Sequence, residues 1–354
     1  MVKTGRLSGL LLAFALCGCE HDGANAPAVE LTIDGGTTCR QISSVHVGNP
    51  EKLSYGGFAA DDRYVYWLPE DDAISGGPLM RADRCDGIPR VLVAGPVLRW
   101  ILDGERVLYL AGTYPDQVIY AIPRGGGTAT VVRHFTAQGE PFPYASCFGG
   151  TCYRATRNGI ESGPTIDGPF TLLGPDNFLV TGGITGMTVD DRYVYYFDQG
   201  NQGSNGGLYR MSLAGGPADR LWLNGAVYMD DRDGTGGVFR SADRLFVVRS
   251  GGDVWTVTKD GGDLRMHSLA NQSPHVSGGG WPVAESNRYL YWSGGWDESA
   301  PGSPSVGAYR VEKRADGVVE RASRGGLSPY DGWPAGSGDG VWVIHGEELV
   351  RIPD

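Results

Sequence analysis

The residues of this chain that could do chemistry are carboxylates, aromatics and a few cysteines, and no familiar constellation joins them. The sequence contains no GxSxG elbow for a nucleophile, no phosphate-cradling GxxxxGK, no HExxH zinc pair and no redox CxxC. His21, His46, His134, His267, His275 and His345 are scattered without metal-ligand spacing. The densest acidic run is Asp230-Asp231-Arg232-Asp233-Gly234. Clustered carboxylate oxygens at a glycine turn suit Ca²⁺, so Asp230, Asp231 and Asp233 are candidate metal ligands. The run lacks the spacing and closing glutamate of an EF-hand, and a solvated acidic loop competes with the metal reading. No other cofactor is expected. Asp61/Asp62 and Asp190/Asp191 recur at one place in a repeated phrase, where aspartate caps a turn through its own backbone. The arginines that follow them read as edge partners of those acids, and no catalytic residue is assigned.

The better candidates for contact with a ligand are aromatic. Gly280-Trp281-Pro282 and Gly332-Trp333-Pro334 lead into corresponding strands of consecutive repeats, while Tyr114 and Trp296 sit in loops. Indole and phenol faces there would stack on a sugar or a peptide side chain, although packing between repeats competes for the same rings.

The elements that must position these residues come from a repeat. An acidic or polar turn, an arginine and a run of aromatic and branched residues recur as DDRYVYW from Asp61, DGERVLYL from Asp103, DDRYVYYF from Asp190, ADRLFVV from Ala242 and SNRYLYW from Ser286. GGTCYRA from Gly149 and GDGVWVI from Gly338 are weaker copies. Their spacing of roughly 40–50 residues is that of a four-stranded propeller blade. A second phrase follows each, as in LMRADRCDG from Leu79, LYRMSLAGG from Leu208 and VWTVTKDGG from Val254. Each is a strand closed by a glycine turn of hairpin type. The third repeat offers only IESGPTIDG from Ile160. YVYW and YLYW are apolar at every position, as a strand covered on both faces permits and a half-wet sheet does not. The reading is an all-β, seven-bladed β-propeller, with six or eight blades as alternatives. Composition agrees, since 57 Gly and 21 Pro among 354 residues disfavour helices, while 41% hydrophobic residues suffice for a core.

The chain ends in LVRIPD, the second phrase up to its turn, so the last blade lacks its outermost strand. The strand-like segment Gln41–Val47 is expected to fill that place and close the ring. Long connections between second and third strands, PEDDAISGG from Pro69, DQGNQGSNGG from Asp198 and GGWDESAPGSPSVG from Gly294, should open on the same rim as the connections between blades. Long loops on a rigid scaffold are where binding concentrates.

The first residues read as an address. Lys3 and Arg6 precede an apolar run from Leu7 to Leu16, too short to span a membrane but suited to a signal peptide. The run ends in Leu16-Cys17-Gly18-Cys19, which resembles the bacterial lipobox, with Cys17 where a small residue is usual. The resemblance implies lipidation of Cys19 and a domain order of 1–18 signal peptide, 19–38 tether and 39–354 propeller. Glu20 is not the aspartate associated with inner-membrane retention, which favours the outer membrane, on its periplasmic or surface face. In an oxidising compartment Cys39, Cys85, Cys147 and Cys152 are expected to form disulfides. Cys147 and Cys152 bracket a hairpin turn and pair with each other, which leaves Cys39 with Cys85. The net charge of -11 argues against a nucleic-acid partner and against adhesion to anionic lipid, so contact with the membrane is through the lipid alone.

Phrases such as DDRYVYYFDQ and GGLYRMSLAGG resemble the YWTD-type repeats of lipoprotein-receptor propellers and the related bacterial TolB-like propellers. The resemblance covers residues 53–354 in repeat pattern only, without a strict YWTD. It implies a propeller used mainly for binding a protein, peptide or glycan of the envelope, and it carries over no catalytic residue. Two other functions compete: a lyase or hydrolase acting on glycan or peptide at the axial mouth, and a purely structural element of the envelope.

Overall fold

The computed structural model describes residues 30–33, 37–48, 57–69, 76–113, 115–135, 145–156, 159–173, 184–198, 207–223, 235–249, 254–267, 283–294, 307–322, 334–336 and 339–354. No helix occurs among them. The chain divides into two units, residues 1–41 and 42–354. In the first, Glu30–Ile33 and Thr37–Arg40 pair as an antiparallel hairpin.

The second unit consists of seven four-stranded antiparallel sheets arranged around an axis, a seven-bladed β-propeller. Blades 1 to 6 occupy residues 58–97, 99–135, 145–172, 184–223, 235–267 and 283–321, each with its strands in chain order from first to fourth. Blade 7 takes its first three strands from residues 334–353 and its fourth from Ser44–His46. The expected closure is therefore found. Ser44, Val45 and His46 lie opposite Val350, Leu349 and Glu348, and Val47 donates its N–H to Glu347 O at 2.9 Å.

Burial explains why the second strands are apolar at every position. Side chains alternate between the two faces of a strand, so Val65 and Trp67 of blade 1 face one neighbour and Tyr64 and Tyr66 the other. Val65 and Trp67 pack with Trp342, Ile344 and Leu349 of blade 7, while Tyr64 and Tyr66 pack with Val107 and Tyr109 of blade 2. Blade 4 repeats the pattern: Val194 and Tyr196 meet Tyr153 and Ile160 of blade 3, and Tyr195 and Phe197 meet Leu245 and Val247 of blade 5. Each such side chain contributes about 1.5–3 kcal/mol by leaving water. The core is thus a series of seams between blades, each filled from both sides.

Cys147 and Cys152 form a disulfide across the first hairpin of blade 3, where they are register partners with Cα atoms 3.9 Å apart. Cys39 and Cys85 are also disulfide cysteines, in keeping with the pairing expected from the sequence.

Candidate functional site

Antiparallel strands divide the connections of every blade between two rims. Turns joining first to second and third to fourth strands share one rim; links from second to third strand, and from blade to blade, share the other. The first rim is made of tight turns, such as those between Ala60 and Tyr64 and between Asp103 and Arg106. The second receives the long links that separate Asp198 from Gly207, Gly294 from Gly307 and His267 from Val283.

Trp281 and Trp333 fall just ahead of the first strands Val283–Glu285 and Pro334–Gly336, as the sequence placed them. Trp296 and Tyr114 fall in second-to-third links. All four lie outside the described residues, as do Asp230, Asp231, Asp233 and Cys19. Among the described residues no three His, Cys, Asp or Glu side chains form a group that could hold a metal ion.

The first rim shows what the paired acids do. Asp61 Oδ1 accepts the N–H groups of Arg63 at 2.8 Å and Tyr64 at 2.6 Å, and Oδ2 accepts the Tyr66 hydroxyl at 2.7 Å. The same Oδ2 stands 2.9 Å from Arg124 of blade 2. Asp190 repeats the arrangement, accepting the N–H groups of Arg192 and Tyr193 at 2.9 Å and the Tyr195 hydroxyl at 3.0 Å. Its base is Lys259 of blade 5, at 2.9 Å. Asp339 of blade 7 takes Arg84 of blade 1 at 2.9 Å. Asp61 and Asp190 cap their own turns, and all three acids latch the next blade.

The other seams reverse or abandon the pattern; blades 5 and 6 carry a serine, Ser241 and Ser286, where the turn acid would stand. Between blades 2 and 3 the base is on the turn, with Arg106 2.6 Å from Asp167. Blade 3 has glycines at its turn, and the facing residue of blade 4 is Leu213, which packs near Tyr153 instead of offering a charge. Acid and base are lost together, so neither is stranded.

The electrostatics follow from burial. Burial works to raise the Asp190 carboxyl, but the Lys259 ammonium and the N–H groups of Arg192 and Tyr193 outweigh it and hold the group down to about 2. Burial, with the Asp190 charge beside it, pushes the Tyr195 hydroxyl up. Burial also pushes the Tyr291 hydroxyl up, to about 12. Arg84 is 0% exposed; burial lowers its guanidinium, and Asp339 opposes that effect.

The arginines after the turn acids are not partners of those acids, contrary to the sequence expectation, except Arg106, which is 2.6 Å from Asp103. Arg63 stands 3.5 Å from Asp83, Arg244 2.9 Å from Asp263 and Arg288 2.9 Å from Glu312. The acid in the turn is already occupied by its backbone, a tyrosine hydroxyl and the next blade. The arginine therefore turns toward the third strand or the hairpin beyond it.

Two clefts open among these turns. One, of about 540 Å³, is lined by Asp103, Glu105, Arg106, Pro123, Thr128 and Thr130. Its charges are spent, since Arg106 meets Asp103 and Asp167 and Glu105 meets Arg124. The other, of about 450 Å³, lies between blades 4 and 5 and is lined by Arg192, Tyr193, Arg210, Asp243, Lys259 and Asp260 among others. Arg192 has no ion pair among the described residues. Sequence reasoning missed both clefts, although the base after the third strand (Arg84, Arg124, Lys259) does recur at one position of the second phrase.

No protein-family model and no curated protein matches this sequence. Solved structures do resemble the fold. The GH74 enzyme of Niastella koreensis shares 16% identity over 86% of this chain with a TM-score of 0.54, and this chain spans about half of it, 53%. YCF48 bound to D1 peptide shares 10% identity, covering 92% of this chain and 98% of that one, with a TM-score of 0.52. A catalytically inactive virginiamycin B lyase from Staphylococcus aureus with quinupristin shares 12% identity, with the same coverage and a TM-score of 0.51. At such identities the likeness is one of fold: this chain is built as a β-propeller like those of YCF48 and the lyase.

Proposed function

We propose that this chain is a binding module of the bacterial envelope, anchored through lipid on Cys19 and holding a protein, peptide or glycan on the rim of long connections. The observation that carries this reading is the difference between the rims. Tight turns and inter-blade ion pairs on the first rim hold the ring together. The long links leave from the second, and Trp281, Trp296, Trp333 and Tyr114 belong to them. Large aromatic side chains near the centre of such a surface supply contact area at low entropy cost. YCF48, a neighbour in fold, is bound to a peptide, which supports a ligand of that class. The leader-like start, the lipobox-like Leu16–Cys19 segment and the oxidised cysteines support the location, with the outer membrane preferred from Glu20.

The experiment has two arms. Bacteria producing the full chain are fed radiolabelled palmitate; label should enter the wild type and be lost in Cys19→Ser. A photo-crosslinking residue is then placed at Trp296, or at Arg90 on the opposite rim, in intact cells. Adducts specific to the Trp296 position, lost when Trp281 and Trp333 become alanine, are expected. Unchanged labelling of Cys19→Ser would remove the anchor, and adducts from the Arg90 position alone would remove the choice of rim.

A further inference from the structure

Three blades carry the same trio of side chains on the first rim. A tyrosine opens the second strand: Tyr64 in blade 1, Tyr193 in blade 4 and Tyr289 in blade 6. The arginine before it lies over its ring, with Arg63, Arg192 and Arg288 at 5.1, 5.6 and 5.1 Å from the centroid. A second arginine, from the third strand, lies over the same ring: Arg81, Arg210 and Arg310, at 4.7, 4.9 and 4.3 Å.

Register identifies the residue placed to pair with the turn arginine of each trio. Opposite Tyr64 is Asp83, opposite Tyr289 is Glu312 and opposite Tyr193 is Ser212. In blades 1 and 6 that carboxylate takes the turn arginine, Asp83 with Arg63 and Glu312 with Arg288. In blade 4 the position holds a hydroxyl, and Ser212 Oγ accepts the N–H of Ala214 at 3.1 Å. The break leaves Arg192, which is exposed as Arg288 is, without an ion pair among the described residues, on the wall of the 450 Å³ cleft between blades 4 and 5.

We propose that this cleft is a carboxylate-binding site. An aspartate or glutamate side chain of a peptide or protein partner takes the place on Arg192 that Asp83 and Glu312 fill in the sister blades. A planar guanidinium offers a carboxylate paired N–H donors, the strongest common polar contact in proteins. Tyr193 holds the guanidinium from beneath. Arg210 and Lys259 add positive charge, although each already has an acid, Asp219 at 3.2 Å and Asp190 at 2.9 Å. Asp243 and Asp260 stand on the same cleft and engage local hydroxyls, Ser241 at 3.3 Å from Asp243 and Thr258 on Asp260. Their charges select against phosphates and polyanions and favour a single carboxylate on an otherwise neutral or basic segment. The site lies on the rim opposite the long connections, so its failure leaves the reading of that rim untouched.

The test uses the full chain and N-acetyl-aspartate N-methylamide, a probe with one carboxylate, followed through the arginine Nε–H resonances. The wild type should show a saturable shift at Arg192. Arg192→Gln should abolish saturable binding. Ser212→Asp, which builds the sister blades' acid into blade 4, should weaken the probe by roughly tenfold or more while raising the melting temperature. Arg63→Gln should leave probe affinity unchanged. The proposal is overturned if the probe shifts nothing at Arg192, if Ser212→Asp binds it as the wild type does, or if inorganic phosphate binds there more tightly than the probe.

Discussion

An aspartate that closes its own turn, accepts a tyrosine hydroxyl and meets a base from the next blade joins two sheets through one carboxylate. Asp190 is 4% exposed, so solvent screens little of that interaction. Its folded value, about 2, lies below the ordinary 3.8. A depressed acid stabilises the fold fully above its unfolded value and loses that contribution as pH falls through the folded one. The window is therefore about pH 4 down to about pH 2. Asp190→Asn should cost roughly 2 kcal/mol at neutral pH. In urea unfolding followed against pH, the gap between wild type and variant should narrow across that window. A gap that stays constant to pH 2 would mean that the charge contributes nothing and that the acid serves only as a turn cap.

Elements meet most tightly where no side chain intervenes. Gly186, in the first strand of blade 4, lies against the first strand of blade 5: a Cβ there would stand 2.6 Å from Val238 N and 2.8 Å from the Gly237 carbonyl carbon. Backbone cannot swing aside as a side chain can, so Gly186→Ala should force the two strands apart and destabilise by about 1–3 kcal/mol. Thermal melting checks this, and a variant that melts with the wild type would show that the inner ring has slack. The blades themselves were legible in the sequence because burial on both faces leaves an uncommon mark, YVYW and YLYW with no polar alternation. The closing segment was legible because LVRIPD stops at a turn and a spare strand stands upstream. The latches were not. Asp61 and Arg124 meet from turns of different blades, and a base in a hairpin turn looks in sequence like any solvated residue. The cleft at Arg192 was hidden for a related reason: Ser212 becomes informative only once register sets it opposite Tyr193, beside Asp83 and Glu312 in the same role. Tryptophans at Trp281, Trp296 and Trp333 are conspicuous in a sequence, whereas the meaning of Arg192 lies in a missing neighbour.

For the whole molecule the decisive seam is the one between blades 7 and 1, because the ring closes there between strands far apart in the chain. Val45 and Val47, 2% and 7% exposed, enter the cluster of Phe58, Trp67, Trp342 and Leu349 that fills this seam. Arg84 binds across it, with Asp339 on one side and the Asp61 carbonyl at 2.8 Å on the other, and Ile42 donates its N–H to Arg84 O at 2.8 Å. Burial of two valines and a ladder of backbone bonds amount to something on the order of 5 kcal/mol. That is a large share of the roughly 5–15 kcal/mol by which a domain is stable. A chain beginning at Gly48 should therefore keep six whole blades and three strands of the seventh, with the third of these, Glu348–Pro353, left as an unpaired edge. Faster amide exchange is expected first in Glu348–Pro353 and then in Gly340–His345, with a lower melting temperature and a concentration-dependent dimer on size exclusion. Adding a synthetic peptide of residues 41–48 should reverse all three. If the shortened chain exchanges and melts as the full one does, the ring is held by its remaining seams and the borrowed strand is ornamental.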